Sequence, residues 1–194
     1  MSAALLLSAS AVFLIAFVMY NKGVLTGKTL PAFTSWSLFS LITFVNGATY
    51  LDLTASWVNT VVLFTDCFTC TVTMIIVLIR LKCKVVVDET DKRIALISLI
   101  AVLLWVVSNS AWQGNLLNQV AYTLAFIPTY RNVLKDAKNE PTKPWLMWTF
   151  AFVLDIVALK LQPTTQVMDY VSPVICLVYH GGVMVLSLRK PRLA

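Results

Sequence analysis

Charge is what this sequence has least of. Only 12% of its 194 residues are Asp, Glu, Lys or Arg, nine of them acidic. A soluble domain of this size needs far more charge to cover its surface, so a water-soluble globule is excluded. There is one histidine, His180, and there are four cysteines. A zinc site takes four well-placed ligands. Cys67-x-x-Cys70, on one helical turn with no second ligand pair, does not supply them and reads as small buried residues. The chain holds no nucleotide-binding glycine loop, Ser/His/Asp set or metalloprotease motif. No catalytic residue, metal or cofactor is therefore assigned, and the chain reads as a non-enzyme. The last apolar stretch contains no lysine, which excludes a retinal Schiff base there.

What is abundant is hydrocarbon. Hydrophobic residues make up 59% of the chain, and mean hydropathy is +0.81. About 20 helical residues cross a bilayer core. Seven stretches qualify, at about 3–20, 32–51, 57–80, 93–110, 115–131, 145–161 and 167–188. Helices are expected, since backbone groups in lipid must be satisfied within each segment and no barrel-like alternation is present. The first stretch has no basic residues before it and no small-residue cleavage site, so it reads as a retained helix. The expected fold class is an all-α integral membrane protein with seven transmembrane helices.

Of 15 Lys and Arg, 14 lie in four places: Lys22 and Lys28, the loop Arg80 to Arg93, the loop Arg131 to Lys143, and the tail "RKPRLA". With seven spans all four fall on one face, and only Lys160 sits near the other. Basic loops stay in the cytoplasm, which predicts an outside N-terminus and a cytoplasmic C-terminus in a multi-pass protein. The net charge of +6 is then a topogenic signal, in contact with the lipid bilayer. It forms no separate basic domain, so a nucleic-acid partner is not expected.

Sliding residues 16–80 against 125–189, an offset of 109, pairs Ala16-Phe17 with Ala125-Phe126, Trp36 with Trp145, Cys67 with Cys176 and Arg80 with Arg189. Helix and loop positions coincide throughout. Trp36, Ser40, Thr43, Asn46 and Tyr50 form one stripe on the second helix; Trp145, Thr149, Phe152, Asp155 and Leu159 form one on the sixth. The simplest parse is a three-helix repeat over 1–80, a loop and linker helix over 81–114, and a second three-helix repeat with a basic tail over 115–194. An odd linker span gives the repeats the same orientation.

A 3-1-3 chain of this length resembles the SWEET and PQ-loop (MtN3-like) transporters. "FIPTYRNVLKDAKNEPTKPWLMW" looks like their loop motif, with Pro128-Thr129 where the family has Pro-Gln; the first repeat has Val18-Met19-Tyr20 and no proline there. "TYLDLTAS", from Thr49 to Ser56, is similar to a segment of the KDEL-type retrieval receptors. Those receptors use intramembrane arginines to hold a peptide carboxylate, and no span core here contains one. The first resemblance implies a transporter moving a small polar or zwitterionic solute by alternating access. The alternative is a non-transporting seven-helix membrane receptor or assembly factor, its cavity filled by side chains.

Ionisable groups inside a span cost roughly 2.5–3.5 kcal/mol on insertion scales, and they usually face a cavity or a partner. Asp66, Asp155 and His180 are such groups, and each is a candidate for proton coupling. Asn46 is the repeat mate of Asp155. With Trp36, Trp145, Thr43 and Thr69 these two aspartates and Asn46 make the expected solute-contacting set, around a water-filled central cavity. Each has a plainer reading. Asp155 can pair with Lys160, Asn46 can serve as interhelical glue, and His180-Gly181-Gly182 can mark close packing. Trp57, Trp112, Trp145 and Trp148 fit an interfacial aromatic belt. Pro128 reads as a hinge, because a proline inside a helix removes a hydrogen bond and clashes with the preceding turn. Pro173 reads as a second kink. The solute, the source membrane, passive versus proton-coupled transport and a homo-oligomeric state stay open.

Overall fold

The computed structural model describes residues 2–82, 87–108, 110–162 and 167–189. Seven α-helices run through them: α1 (Ser2–Leu25), α2 (Phe33–Thr54), α3 (Trp57–Arg80), α4 (Glu89–Ser108), α5 (Ala111–Lys135), α6 (Thr142–Lys160) and α7 (Val171–Ser187). There is no strand among the described residues. The helices outrun the expected spans where polar residues extend them. α4 starts at Glu89 because the Asp88 carboxylate accepts the Asp91 N–H at 2.8 Å, while Glu89 and Asp91 complement the helix dipole. α5 continues through Pro128 to Lys135. Pro173 lies in the first turn of α7, after a short 3-10 segment over Val167–Tyr170. A missing N–H costs nothing there, so Pro173 starts this helix and does not kink it.

Helix packing follows a definite pairing. α3 packs against both α1 and α2, and α7 packs against both α5 and α6. α1 lies against α6, α2 against α5, and α4 leans mainly on α5. Contacts gather the C-termini of α1, α3, α5 and α7 with the N-termini of α2, α4 and α6 at one end. There Leu30 N–H reaches the Asn139 carbonyl at 3.2 Å, Ser187 donates to Thr142 at 2.9 Å, and Arg189 donates to the Val133 carbonyl at 2.7 Å. Every described Lys and Arg except Lys160 lies at or next to this end, called the basic end below. Lys84, Lys190 and Arg192 fall outside the described residues.

The exterior inverts the soluble pattern, and polar groups are buried within an otherwise apolar core. Val18 is 70% exposed, Phe68 64% and Val107 71%, while Asn46, Asn118, Gln119, Asp66 and Asp155 are all buried. Contiguous exposed apolar surface of this kind needs a partner of its own chemistry. Among the described residues three helices, not the seven expected, meet the length and apolarity of a membrane span: α1, α3 over Thr60–Arg80, and α6; α7 is apolar but shorter. α2 and α5 are more polar because they carry Ser35, Thr43, Asn46, Asn118 and Gln119, which are turned inward.

Candidate functional site

Two layers fill the seam between the α1–α3 and α5–α7 units. The layer nearer the basic end is aromatic. Phe17 meets Trp148 at 4.7 Å between ring centroids, Tyr20 meets Trp36 at 4.9 Å and Trp148 at 5.4 Å, and Phe39 meets Phe126 at 4.7 Å. His180 sits among Phe126, Trp145, Trp148 and Phe152 at 4.9–5.9 Å, its Nδ1 2.8 Å from the Cys176 carbonyl. Trp36, Trp145 and Trp148 are each 2% exposed or less. Trp145 and Trp148 are therefore core residues and not an interfacial belt. Trp57 does project outward, stacked on Phe64 at 5.7 Å; the Trp112 side chain lies outside the described set.

This plug closes on a residue that reads in sequence as an ordinary loop charge. Glu140, between α5 and α6, is 1% exposed. Its Oε2 accepts from the Tyr20 hydroxyl at 2.9 Å and from Trp145 Nε1 at 3.0 Å. Its Oε1 accepts from Asn132 Nδ2 at 3.3 Å, and Trp36 Nε1 donates onward to the Tyr20 oxygen at 3.2 Å. Trp36 and Trp145 are thus linked through Tyr20 and Glu140. Burial pushes the Glu140 carboxyl up to about 7, with the bonds from Tyr20, Trp145 and Asn132 acting against that rise. Outside the spans, Arg131 pairs with Asp88 at 2.7 Å and Asp91 at 3.4 Å. Its hydrogen bond holds the Asp88 carboxyl below its usual range. A cavity of about 240 Å³ opens beside this pair, under Pro128.

The second layer is polar. Asn46 of α2 donates to Ser172 of α7 at 2.8 Å and accepts from Gln119 of α5 at 3.3 Å. Asn118 donates to the Ile42 carbonyl at 3.2 Å. The side chains expected to ring a water-filled cavity are not joined to one another by side-chain hydrogen bonds among the described residues; Asn46 instead engages Ser172 and Gln119. Asp66 accepts from the Cys70 thiol at 3.4 Å. Thr43 and Thr69 bond carbonyls of their own helices, at 2.6 Å and 2.8 Å. Asp155 is 7% exposed, lies within electrostatic reach of Tyr50 and Cys176, and makes no hydrogen bond or ion pair with any described residue. Lys160, its possible partner, is exposed at the far end of α6. The Asn46 bonds do cross between helices, as interhelical glue requires. Among the described residues no group of three His, Cys, Asp or Glu could hold a metal.

Pro128, inside α5, has a neighbour that the sequence did not announce. Ser35 of α2 inserts its hydroxyl into α5, accepting the Thr129 N–H at 3.1 Å and donating to the Ala125 carbonyl at 2.7 Å. A side chain in the ladder next to a proline is a recognised cause of local bending. Gly182 lets the second half close, since a Cβ there would run into the Tyr130 hydroxyl, which donates to the Tyr179 carbonyl at 3.0 Å. Ser35→Ala should cost about 1–3 kcal/mol, because it strands buried backbone groups. Ser37→Ala should cost nothing, since the buried Ser37 hydroxyl has no partner. Thermal unfolding of the two variants side by side checks this; equal losses would refute the Ser35 clasp.

No protein-family model, curated protein or solved structure matches this chain.

Proposed function

We propose that the chain is a seven-span membrane transporter that moves a small polar or zwitterionic solute by alternating access, built from two parallel three-helix repeats. Helix bounds support the repeat. Adding 109 to α1 (Ser2–Leu25) gives 111–134 against the observed Ala111–Lys135, and adding it to the start of α2, Phe33, gives Thr142, the start of α6. Packing supports it too: exchanging α1, α2 and α3 for α5, α6 and α7 turns the α1–α6 contact into α5–α2, and α1–α3 into α5–α7. The outward apolar faces suit lipid, and the basic end suits the cytoplasm.

One observation carries the functional reading: a buried carboxylate in the seam, Asp155, to which no described residue is bonded. Asn46 and Asp155 each lie thirteen residues into their helices, about 20 Å from the basic end. A charge at that depth needs a partner, and the solute's cationic group or a proton fills that place. In this reading the aromatic plug is the closed cytoplasmic gate, and Pro128 with Ser35 is the hinge. The direct Asn46–Ser172 and Asn46–Gln119 bonds favour a second reading, a receptor or assembly factor whose centre is filled by its own side chains.

Uptake in proteoliposomes separates the two. A panel of sugars, amino acids and vitamins should reveal saturable flux of at least one solute, and single cysteines at 138 and 113 should label from opposite faces. Folded protein with no flux across the panel would favour the receptor. Labelling of both positions from one face would sink the seven-span topology.

A further inference from the structure

We infer that Glu140 is a proton-binding site that controls the basic end of the bundle: the closed end takes up one proton at this carboxyl and returns it to the same aqueous phase when the ends of α1 and α6 part. The geometry carries this. Glu140 lies in the short link before α6, yet it is sealed from solvent and is held by donors from three different elements: Tyr20 of α1, Asn132 of α5 and Trp145 of α6. Asn132 also donates to the Leu30 carbonyl at 2.5 Å, and Leu30 N–H reaches Asn139. The link between α1 and α2 and the link between α5 and α6 are therefore fastened around this one carboxyl. Any opening of the plug between α1 and α6 must separate Tyr20 from Trp145 and expose Glu140 to water.

Among the described residues no cation pairs with the Glu140 carboxylate in the closed arrangement. Lys22 on α1, Lys28 in the following link, Arg131 and Lys135 on α5, Lys138 after it, Lys143 on α6 and Arg189 after α7 are described basic groups at this end of the bundle. None of them bonds to Glu140; nor do Asp136 or Tyr130. From α7, His180 stands behind Trp145 at 5.3 Å, and α2 contributes Trp36 through Tyr20. Burial without a counter-charge raises the closed-state carboxyl to about 7, against 4.5 for an exposed glutamate. The sign follows from linkage: the closed end binds the proton more tightly than the open end. Protonation thus favours closure below the ordinary glutamate range, and that advantage is lost as pH rises through about 7. The predicted device is a sensor of the pH on the basic side. Protons enter and leave on one side only, so it does not by itself drive transport.

The inference uses the proposed transport reading only to call the movement a gate, and its test needs no flux. Hydrogen exchange is followed on the full-length protein in liposomes, at the first amides of α6 and the last of α1. Wild type is compared with Glu140→Gln at each pH, which cancels the chemical pH dependence of exchange. The ratio of wild-type to Glu140→Gln exchange should rise about tenfold between pH 6 and 8 and flatten above that. A constant ratio would overturn the proposal. So would a Glu140→Gln protein that keeps the full pH response, which would assign the response to His180 or another group. Tyr20→Phe provides the independent arm: it removes one donor to Oε2 and leaves the ring packing in place. Its midpoint should move to higher pH, and an unmoved midpoint overturns the assignment even if Glu140→Gln fails to fold.

Discussion

Replacing Trp148 by alanine should lower the unfolding free energy by about 3 kcal/mol, the low end of the range for large aromatic truncations. Trp148 is 1% exposed and touches Phe17, Tyr20, Trp36, Trp145 and His180. If the bundle sits in lipid, little of its stability comes from withdrawing apolar surface from water. The loss is then mostly the cavity and the forfeited dispersion contacts, hence the low end. Trp148→Phe should cost less than half as much, because the buried Trp148 Nε1 has no acceptor and its removal relieves an unmet donor. Trp145→Phe behaves differently. It takes away the 3.0 Å bond to Glu140, costs about 1–3 kcal/mol as a lost bond to a buried charge, and pushes the Glu140 carboxyl higher. Denaturation of the three proteins in one detergent should rank the losses as Trp148→Ala, Trp145→Phe, Trp148→Phe. A Trp148→Phe protein as weak as Trp145→Phe would show that the bond from Trp145 to Glu140 adds nothing beyond ring packing.

Those two tryptophans also mark where the sequence was legible. Apolar runs located all seven helices, since a lipid-length hydrophobic stretch is a strong signal that needs no tertiary context. The stripes Trp36 to Tyr50 and Trp145 to Leu159 were expected on one face each, and the buried members of both do turn inward. Hydropathy ended α5 near residue 131 because its last turn is charged, whereas the helix runs to Lys135. Glu140 was missed for a physical reason. "KNEPTK" has the composition of a solvated loop, and only the meeting of the α1–α2 and α5–α6 links buries it. Ser35 was missed likewise: a serine one turn into α2 looks like any small residue until Pro128, ninety-three positions away in the chain, brings an open ladder against it. A usable signal did exist. At the proposed offset of 109, Glu140 falls opposite Pro31 and Thr129 opposite Tyr20, so the two segments differ in chemistry at the very positions that fasten the basic end.

The same asymmetry sets the expected outcome at the polar layer. Asp155→Asn should abolish pH-driven uptake, by at least about tenfold, while solute exchange survives in part. Such a split is expected of a residue that carries a proton without building the site. Asn46, at the matching depth in α2, is fully engaged with Ser172 and Gln119 and cannot titrate, so the first half offers no substitute. Asp66 is the nearest alternative carrier, but its carboxyl already accepts from Cys70; Asp66→Asn should therefore disturb packing on α3 more than coupling. If Asp155 is instead a structural group, removing its charge from the seam should raise stability and leave the pH response intact, since no bond is lost. Melting temperature, exchange and pH-driven uptake measured on one preparation distinguish the cases. An unchanged pH response in both Asp155→Asn and Asp66→Asn proteins would leave His180 as the remaining intramembrane candidate. It is wedged between Trp145 and Phe152 with Nδ1 on the Cys176 carbonyl, so a proton could reach it only when the aromatic plug opens.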